Sequence, residues 1–86
     1  MSQILEFYGE ECPHCLKMKP FVERLKSEGI AVESFEVWHD DNNAHKMDTY
    51  DKGQCGGVPF FVNPKTNQWI CGETSYDELK SLAGDV

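Results

Sequence analysis

The sequence Cys12-Pro13-His14-Cys15 stands directly after a short apolar run and directly before an amphipathic pattern of helical period. Two cysteines separated by two residues, with the second inside the first turn of a helix, can bring their sulfurs to bonding distance. The free N–H groups and partial positive charge of a helix N-terminus favour the thiolate, the form that attacks disulfides. We therefore predict that Cys12 is the nucleophile and that Cys15, the more buried thiol, is the resolving cysteine.

The residues on either side of this motif predict a strand before it and a helix after it. Residues 4–8 form a short, mostly apolar run with two aromatic residues, in which Glu6 is the exception, and this favours a buried strand. Pro13 suits a first helical turn because its missing N–H leaves no bond unmade there. Pro20 lies far enough inside the helix that we expect a kink. The helix is predicted to close at Gly29, and its apolar face consists of Met18, Phe21, Val22 and Leu25.

The rest of the chain predicts three further strands and two further helices, at residues 30–38, 44–52, 60–62, 69–71 and from Ser75 onward. The resulting order is β-α-β-α-β-β-α. The first two strands, which are separated by a helix, should run parallel through a right-handed crossover, whereas the last two strands form an antiparallel hairpin. We therefore predict one α/β domain spanning residues 1–86, with a four-stranded mixed sheet flanked by helices.

Composition narrows the partners and the compartment. The formal net charge is −7, with eight Lys and Arg against fifteen Asp and Glu, so we expect neither nucleic acid nor a membrane surface as a partner. Met1 and Ser2 lead into the first strand without a basic stretch or cleavage site, and we expect a cytoplasmic monomer. In a reducing cytoplasm, the four cysteines are expected to be catalytic or metal-binding rather than a structural disulfide framework.

Several residues beyond the motif resemble the thioredoxin/glutaredoxin superfamily. Glu6, six residues before Cys12, is similar to the buried carboxylate of the thioredoxin strand, and Pro20, five residues past Cys15, matches the kink proline of the helix. Gly57-Val58-Pro59 resembles the loop whose cis-proline faces the dithiol. Residues 71–79 resemble the last strand, its glycine Gly72 and the final helix. The resemblance spans nearly the whole chain and implies the thioredoxin fold at the length of a glutaredoxin.

The resemblance also implies a function and a set of site residues. We expect a protein disulfide oxidoreductase that uses no cofactor, with protein disulfides as substrates and an upstream reductase or a low-molecular-weight thiol as donor. The expected catalytic residues are Cys12, Cys15, His14, Pro13 and Glu6, and the expected substrate-binding residues are Gly57, Val58, Pro59 and Gly72. A cis Pro59 removes a backbone N–H near the sulfurs and leaves the Val58 backbone free to pair with a substrate strand.

Three of these site predictions rest on local chemistry. His14, protonated or donating a hydrogen bond, is expected to stabilise the Cys12 thiolate, which makes the disulfide more oxidising. Glu10 and Glu11 oppose this effect and stand where glutaredoxins commonly carry a basic residue, so we expect an intermediate potential and neutral or basic partners. Glu6 is either a partly buried acid that exchanges a proton with Cys15 or an exposed residue on an outward face.

The other cysteines and histidines leave a rival function open. We expect Cys71 to be a small buried hydrophobe and Cys55 to be an inert loop cysteine or a third redox thiol. His39 and His45 lie in a polar stretch and are expected to be solvated. The rival is a metal-binding module that holds zinc, or an iron-sulfur cluster across a dimer, with the same cysteines. The sixteen-residue spacing of Cys55 and Cys71 differs from the closely spaced second pair usual in zinc sites.

Overall fold

A computed structural model describes residues 4–84, so Met1 and Ser2, which entered the prediction on localisation, lie outside the described residues. The seven elements follow the predicted order and confirm the α/β class. They are β1 (Ile4–Tyr8), α1 (Pro13–Ser27), β2 (Val32–Glu36), α2 (Asp41–Asp51), β3 (Phe60–Val62), β4 (Trp69–Cys71) and α3 (Tyr76–Leu82).

The strands form one mixed sheet in the order β2-β1-β3-β4. β1 and β2 run parallel, with Glu6 opposite Ser34, as expected for strands joined through a helix. β3 is antiparallel to both of its neighbours and places Phe60 opposite Cys71 of β4. This register brings the residues that follow β1 and those that precede β3 to the same edge of the sheet.

The alternation of side chains along β1 divides the core into two clusters, one on each face of the sheet. Ile4 packs with residues of α1 and α3 on one face, whereas Leu5 and Phe7 pack with residues of α2 on the other. Glu6 shares the face of Ile4 and is therefore directed toward α1. The first cluster contains Met18, Val22, Leu25, Phe61, Leu79 and Leu82, and the second contains Met47, Phe60 and Val62. Both faces of the sheet are thus apolar, as predicted.

Polar side chains set where the helices begin and end. α1 begins at Pro13 and ends at Ser27, and Gly29 beyond it has a left-handed φ of 91°, which glycine adopts without strain. α2 begins three residues before the predicted residue 44, because the Asp40 side chain caps it by accepting the Asn43 N–H at 3.0 Å. α3 begins after Ser75, whose hydroxyl accepts the Glu78 N–H at 3.2 Å, as the capping box predicted.

β2 is shorter than the predicted range 30–38. The Glu36 carboxylate accepts the N–H groups of Trp38 at 3.2 Å and His39 at 2.8 Å, and this turns the chain out of the sheet. Trp38 consequently lies beyond the strand, with half of its surface exposed.

Within residues 4–84, no helix combines the length and the apolar character that crossing a bilayer requires.

Candidate active site

Cys12 occupies the N-cap position of α1. Its Sγ accepts the backbone N–H of Cys15 at 3.3 Å, one of the donors that a helix start leaves without a partner in the helix. Its own N–H donates to the Gly9 carbonyl at 3.0 Å, which fixes the turn between β1 and α1. Both thiols are free, and Cys12 is 3% and Cys15 5% exposed, so the expectation that Cys15 is the more buried thiol is wrong. A donor and the helix dipole directed at one sulfur are the features that stabilise a thiolate at that sulfur.

The loop before β3 lies beside the Cys12 sulfur. The Val58 carbonyl oxygen is 3.9 Å from Cys12 Sγ, and the Val58–Pro59 peptide bond is cis. The Pro59 carbonyl accepts the N–H of Gly72 at 2.8 Å, which ties this loop to the end of β4. Gly57 precedes Val58 in an exposed position. The four residues expected to bind substrate are therefore linked to one another, and Val58 is in contact with the nucleophile.

Glu6 and Cys15 both line a cleft of about 560 Å³ that lies beside α1 and β2. Burial, together with the hydrogen bond to Cys12, raises the pKa of the Cys15 thiol to about 12. Burial also raises the pKa of Glu6, while a hydrogen bond that the Ser34 hydroxyl donates to it at 2.6 Å acts in the opposite direction. Glu6 is 6% exposed, so its alternative placement on an outward face is wrong.

Proton transfer has a physical reason in this cleft. A thiol with a pKa of about 12 is protonated at neutral pH, and only a thiolate attacks a disulfide. Cys15 therefore requires a base when it reacts, and Glu6 is the buried carboxyl that shares its cleft.

The His14 ring lies against the β4–α3 loop. Its Nδ1 pairs with a carboxylate oxygen of Glu73, and this hydrogen bond holds the pKa of Glu73 below its ordinary range. The two residues are 59 positions apart, so a local sequence pattern could not predict this contact. The donor at the Cys12 sulfur is the Cys15 N–H. The expected stabilisation of the thiolate by His14 remains a prediction, as does a specific role for Pro13 beyond the first turn of α1.

An acidic rim, formed by Glu10, Glu11 and Glu36, lies beside the dithiol. Glu11 accepts a hydrogen bond from His39 Nε2 at 2.7 Å, and this bond raises the pKa of His39. His39 and His45 are both exposed, as predicted, and the hydrogen bond between His39 and Glu11 is a surface contact that the sequence did not reveal. Desolvation raises the pKa of Glu36, but backbone N–H groups of His39, Glu10 and Trp38 together hold it below its ordinary range.

Trp38 covers the turn that delivers Cys12. A Cβ atom on Gly9 would lie 2.2 Å from the indole of Trp38, so only glycine lets the ring sit against this backbone. The ring remains 51% exposed. An apolar surface and the acidic rim are thus next to each other at the active site.

Cys55 and Cys71 form a disulfide, with Cα atoms 5.5 Å apart. Cys71 is exposed rather than buried, and Cys55 is neither inert nor a free third thiol, so both expectations are wrong. The physical reason is the register of the hairpin, which places Cys71 opposite Phe60. Because Cys55 lies in the loop that leads into Phe60, this register brings the two cysteines together. The even number of cysteines was the signal available in the sequence, but their spacing alone does not reveal a pairing.

The disulfide also bears on the metal-binding alternative. Because Cys55 and Cys71 are bonded to each other, neither is available as a ligand beside Cys12 and Cys15. Among residues 4–84, the one group of three possible ligands with atoms within 4.8 Å of one another is Glu10, Glu11 and His39, all exposed.

Known structures share this architecture. The thioredoxin-like protein BC3987, solved as a point mutant, matches with a TM-score of 0.67 at 23% identity over 95% of each chain. The glutaredoxin grx-1 from Archaeoglobus fulgidus matches with a TM-score of 0.68 at 21% identity over 99% of this chain and 89% of its own. No protein-family model matches the chain, and a search of curated proteins finds no match. The chain therefore has the thioredoxin fold, and the resemblance drawn from the sequence is confirmed at the level of the fold.

Proposed function

We propose that the protein is a thiol-disulfide oxidoreductase that acts on protein disulfides. The observation that carries the proposal is the position of Cys12 Sγ, which accepts the Cys15 N–H at the start of α1 and faces the Val58 carbonyl. The Cys15 N–H and the helix start are features that favour a thiolate, and the Val58 segment beside the sulfur is a backbone on which an extended substrate can lie.

The reaction proceeds in two exchanges. The Cys12 thiolate attacks one sulfur of the substrate disulfide, and the other sulfur leaves as a thiolate that takes up a proton. Cys15 then loses its proton to Glu6, through water in the cleft, and attacks Cys12 Sγ. This second exchange forms the Cys12–Cys15 disulfide and releases the remaining substrate sulfur. Two electrons thus pass from the dithiol to the substrate, and an upstream dithiol reductase or a low-molecular-weight thiol restores the reduced form.

The surroundings of Cys12 favour neutral or basic substrates. Glu10 and Glu11 add negative charge to the rim, and Trp38 adds an exposed aromatic ring next to them. Opposite charges across an interface accelerate association, whereas like charges disfavour it. We propose that the protein acts in the cytoplasm, where reduction keeps Cys12 and Cys15 as thiols and can also open the exposed Cys55–Cys71 bond.

The Cys15→Ser variant tests the function directly. It retains the nucleophile and lacks the resolving thiol, so incubation with a peptide disulfide accumulates a mixed disulfide between the peptide and Cys12. Mass spectrometry of the digested adduct locates the bond, and the wild-type protein serves as the control that releases the peptide. Absence of an adduct at Cys12 would contradict the proposal.

A further inference from the structure

The second cysteine pair lies next to the loop that contacts the nucleophile. Cys55 and Cys71 join the loop between α2 and β3 to the last residue of β4. Gly72, the residue after this bond, donates its N–H to the Pro59 carbonyl at 2.8 Å. Cys55 Sγ lies 3.3 Å from the Gly57 carbonyl oxygen. The bond therefore lies against both sides of the segment that carries Val58.

A further anchor holds the loop on the side of α2. The buried Asp51 carboxylate accepts the N–H groups of Cys55 at 2.5 Å and Gly56 at 2.9 Å. Glycines at positions 53, 56 and 57 give the same loop a large choice of backbone conformations once an anchor is lost. Asp51 holds the loop at the side of α2, and the disulfide is the covalent link to the side of β4. Breaking that link leaves the Gly72 N–H to Pro59 carbonyl hydrogen bond to hold the loop on the side of β4, and removes the covalent restraint on residues 55–58.

The bond is open to reagents. Cys71 is exposed and Cys55 is half-buried, so an incoming thiolate can reach the sulfur of Cys71. Attack there expels Cys55 as a thiolate that takes up a proton from water. The second thiol of a dithiol reductant then closes its own disulfide and releases Cys71 as a thiol. Two electrons pass from the reductant to the Cys55–Cys71 bond.

We infer that Cys55–Cys71 is a second, reducible redox site that controls how the protein receives extended substrates. With the bond closed, the Val58 carbonyl is held beside Cys12 and an extended peptide finds a preorganised surface. With the bond open, the loop is released and this surface is lost, while the Cys12 sulfur keeps its donor from Cys15. The inference rests on the proposed function and adds regulation of the same site.

Two substrate disulfides of different size distinguish a change in the reactivity of Cys12 from a change in how the loop receives the substrate. A small aromatic disulfide reports the reactivity of the Cys12 thiolate alone, and a disulfide within an extended peptide also reports the loop. For the Cys55→Ser/Cys71→Ser variant, we expect the single-turnover rate with the peptide to fall about tenfold, and the rate with the aromatic disulfide to stay within about twofold of wild type. Gln54→Ser changes an exposed side chain of the same loop, keeps the bond, and should react like the wild type with both.

The same comparison on the wild-type protein covers the case in which the variant fails to fold. The protein is fully reduced with dithiothreitol, freed of reductant under anaerobic conditions and assayed at once, beside protein in which only Cys12 and Cys15 are reduced. The peptide rate should again be the one that falls.

Three results would overturn the inference. Equal peptide rates with the bond open and closed would show that the loop does not depend on it. A parallel fall with both disulfides would place the effect at Cys12 itself. Resistance of the bond to dithiothreitol until the protein unfolds would make it a structural link. A wild-type protein that reacts with neither disulfide would instead refute the proposed function, and the inference with it.

Discussion

The two cysteine pairs of this chain differ in spacing, burial and redox state. Cys12 and Cys15 are three positions apart along the motif, buried and free, and are joined by a hydrogen bond at the start of a helix. Cys55 and Cys71 are 16 positions apart, and their sulfurs form a bond at the open end of the β3–β4 hairpin, where Cys71 is exposed. The comparison teaches that the backbone around a cysteine determines its chemistry. A helix start stabilises charge on one sulfur, whereas a loop and a strand end provide two segments to be joined.

The largest expected effect separates the pairs by their reactivity. Cys12→Ser should lower the rate of attack on a peptide disulfide by at least about 100-fold, because a serine hydroxyl remains protonated where a thiolate forms. Stopped-flow mixing under single-turnover conditions measures this rate. The Cys55→Ser/Cys71→Ser variant provides the comparison, since it keeps the nucleophile. A Cys12→Ser rate within tenfold of wild type would mean that another thiol attacks.

The next effect separates the pairs by their contribution to stability. Cys55→Ser/Cys71→Ser should lower the free energy of unfolding by about 3 kcal/mol, because the bond joins residues 16 positions apart and so closes a loop in the unfolded chain. Urea denaturation of the oxidised wild type and of the variant, followed by circular dichroism, measures the difference. A decrease in the free energy of unfolding of less than about 1 kcal/mol would contradict the stabilising contribution predicted for this bond.

A third effect concerns the proton that Cys15 must lose. Glu6→Gln should slow the release of the mixed disulfide at pH 7 at least tenfold, within the range typical of a lost general base. Because burial raises the pKa of Glu6 above 4.5, the wild-type rate should rise with pH through that raised value as the carboxylate forms. The variant should lack this rise. Ser34→Ala, which removes the hydrogen bond at 2.6 Å but keeps the carboxyl, should shift the rise to higher pH.

The same carboxyl gives a stability profile of defined sign. A raised pKa means that the folded state holds the Glu6 proton more tightly than the unfolded chain, so folding is favoured at low pH and weakened as pH rises through the raised value. The Glu6→Gln variant should therefore gain stability over wild type above that value and none at pH 4. An identical pH dependence of the two proteins would contradict the raised pKa of the buried Glu6.

The smallest effect concerns the charge beside the dithiol. At low salt, a basic peptide disulfide should react several-fold faster than an acidic one of the same length. Glu10→Gln should reduce this ratio, whereas Asp48→Asn, which removes a charge from the exposed side of α2, should not. The ratio should approach one in 1 M salt, where the Debye length is about 3 Å. Equal rates for both peptides at low salt would contradict the preference.

The fold and the core of the site follow from local patterns in the sequence. Alternation in β1, helical spacing in α1 and the capping box at Ser75 each concern residues close together in the chain. The position of Cys12 at a helix start follows from the same patterns. The burial of Glu6 was left open by them and was indicated by the resemblance to thioredoxins. The start of α2 at Asp41 was not predicted, because the first turn of this helix is polar and has no apolar periodicity. Its one sequence signal is the N-cap residue Asp40.

The contacts that the sequence did not reveal join residues far apart in the chain. The partners of His14 and His39 lie 59 and 28 positions away in the sequence, and the two cysteines of the disulfide are 16 positions apart. Each of these contacts depends on which loops lie next to one another at one edge of the sheet. The periodicity of the sequence does not predict which loops are neighbours there. The register of β3 with β4, which brings Cys71 beside the loop, becomes known only once the sheet is assembled.

The reversible oxidation of Cys12 and Cys15 tests the central claim most directly. The protein is equilibrated with dithiothreitol buffers of graded potential, free thiols are alkylated, and mass spectrometry of peptides assigns each bond. We expect a Cys12–Cys15 disulfide that forms and opens with a midpoint between about −270 and −120 mV, in a transition separate from that of Cys55–Cys71. Cys12 and Cys15 that remain alkylatable at every potential would contradict the account.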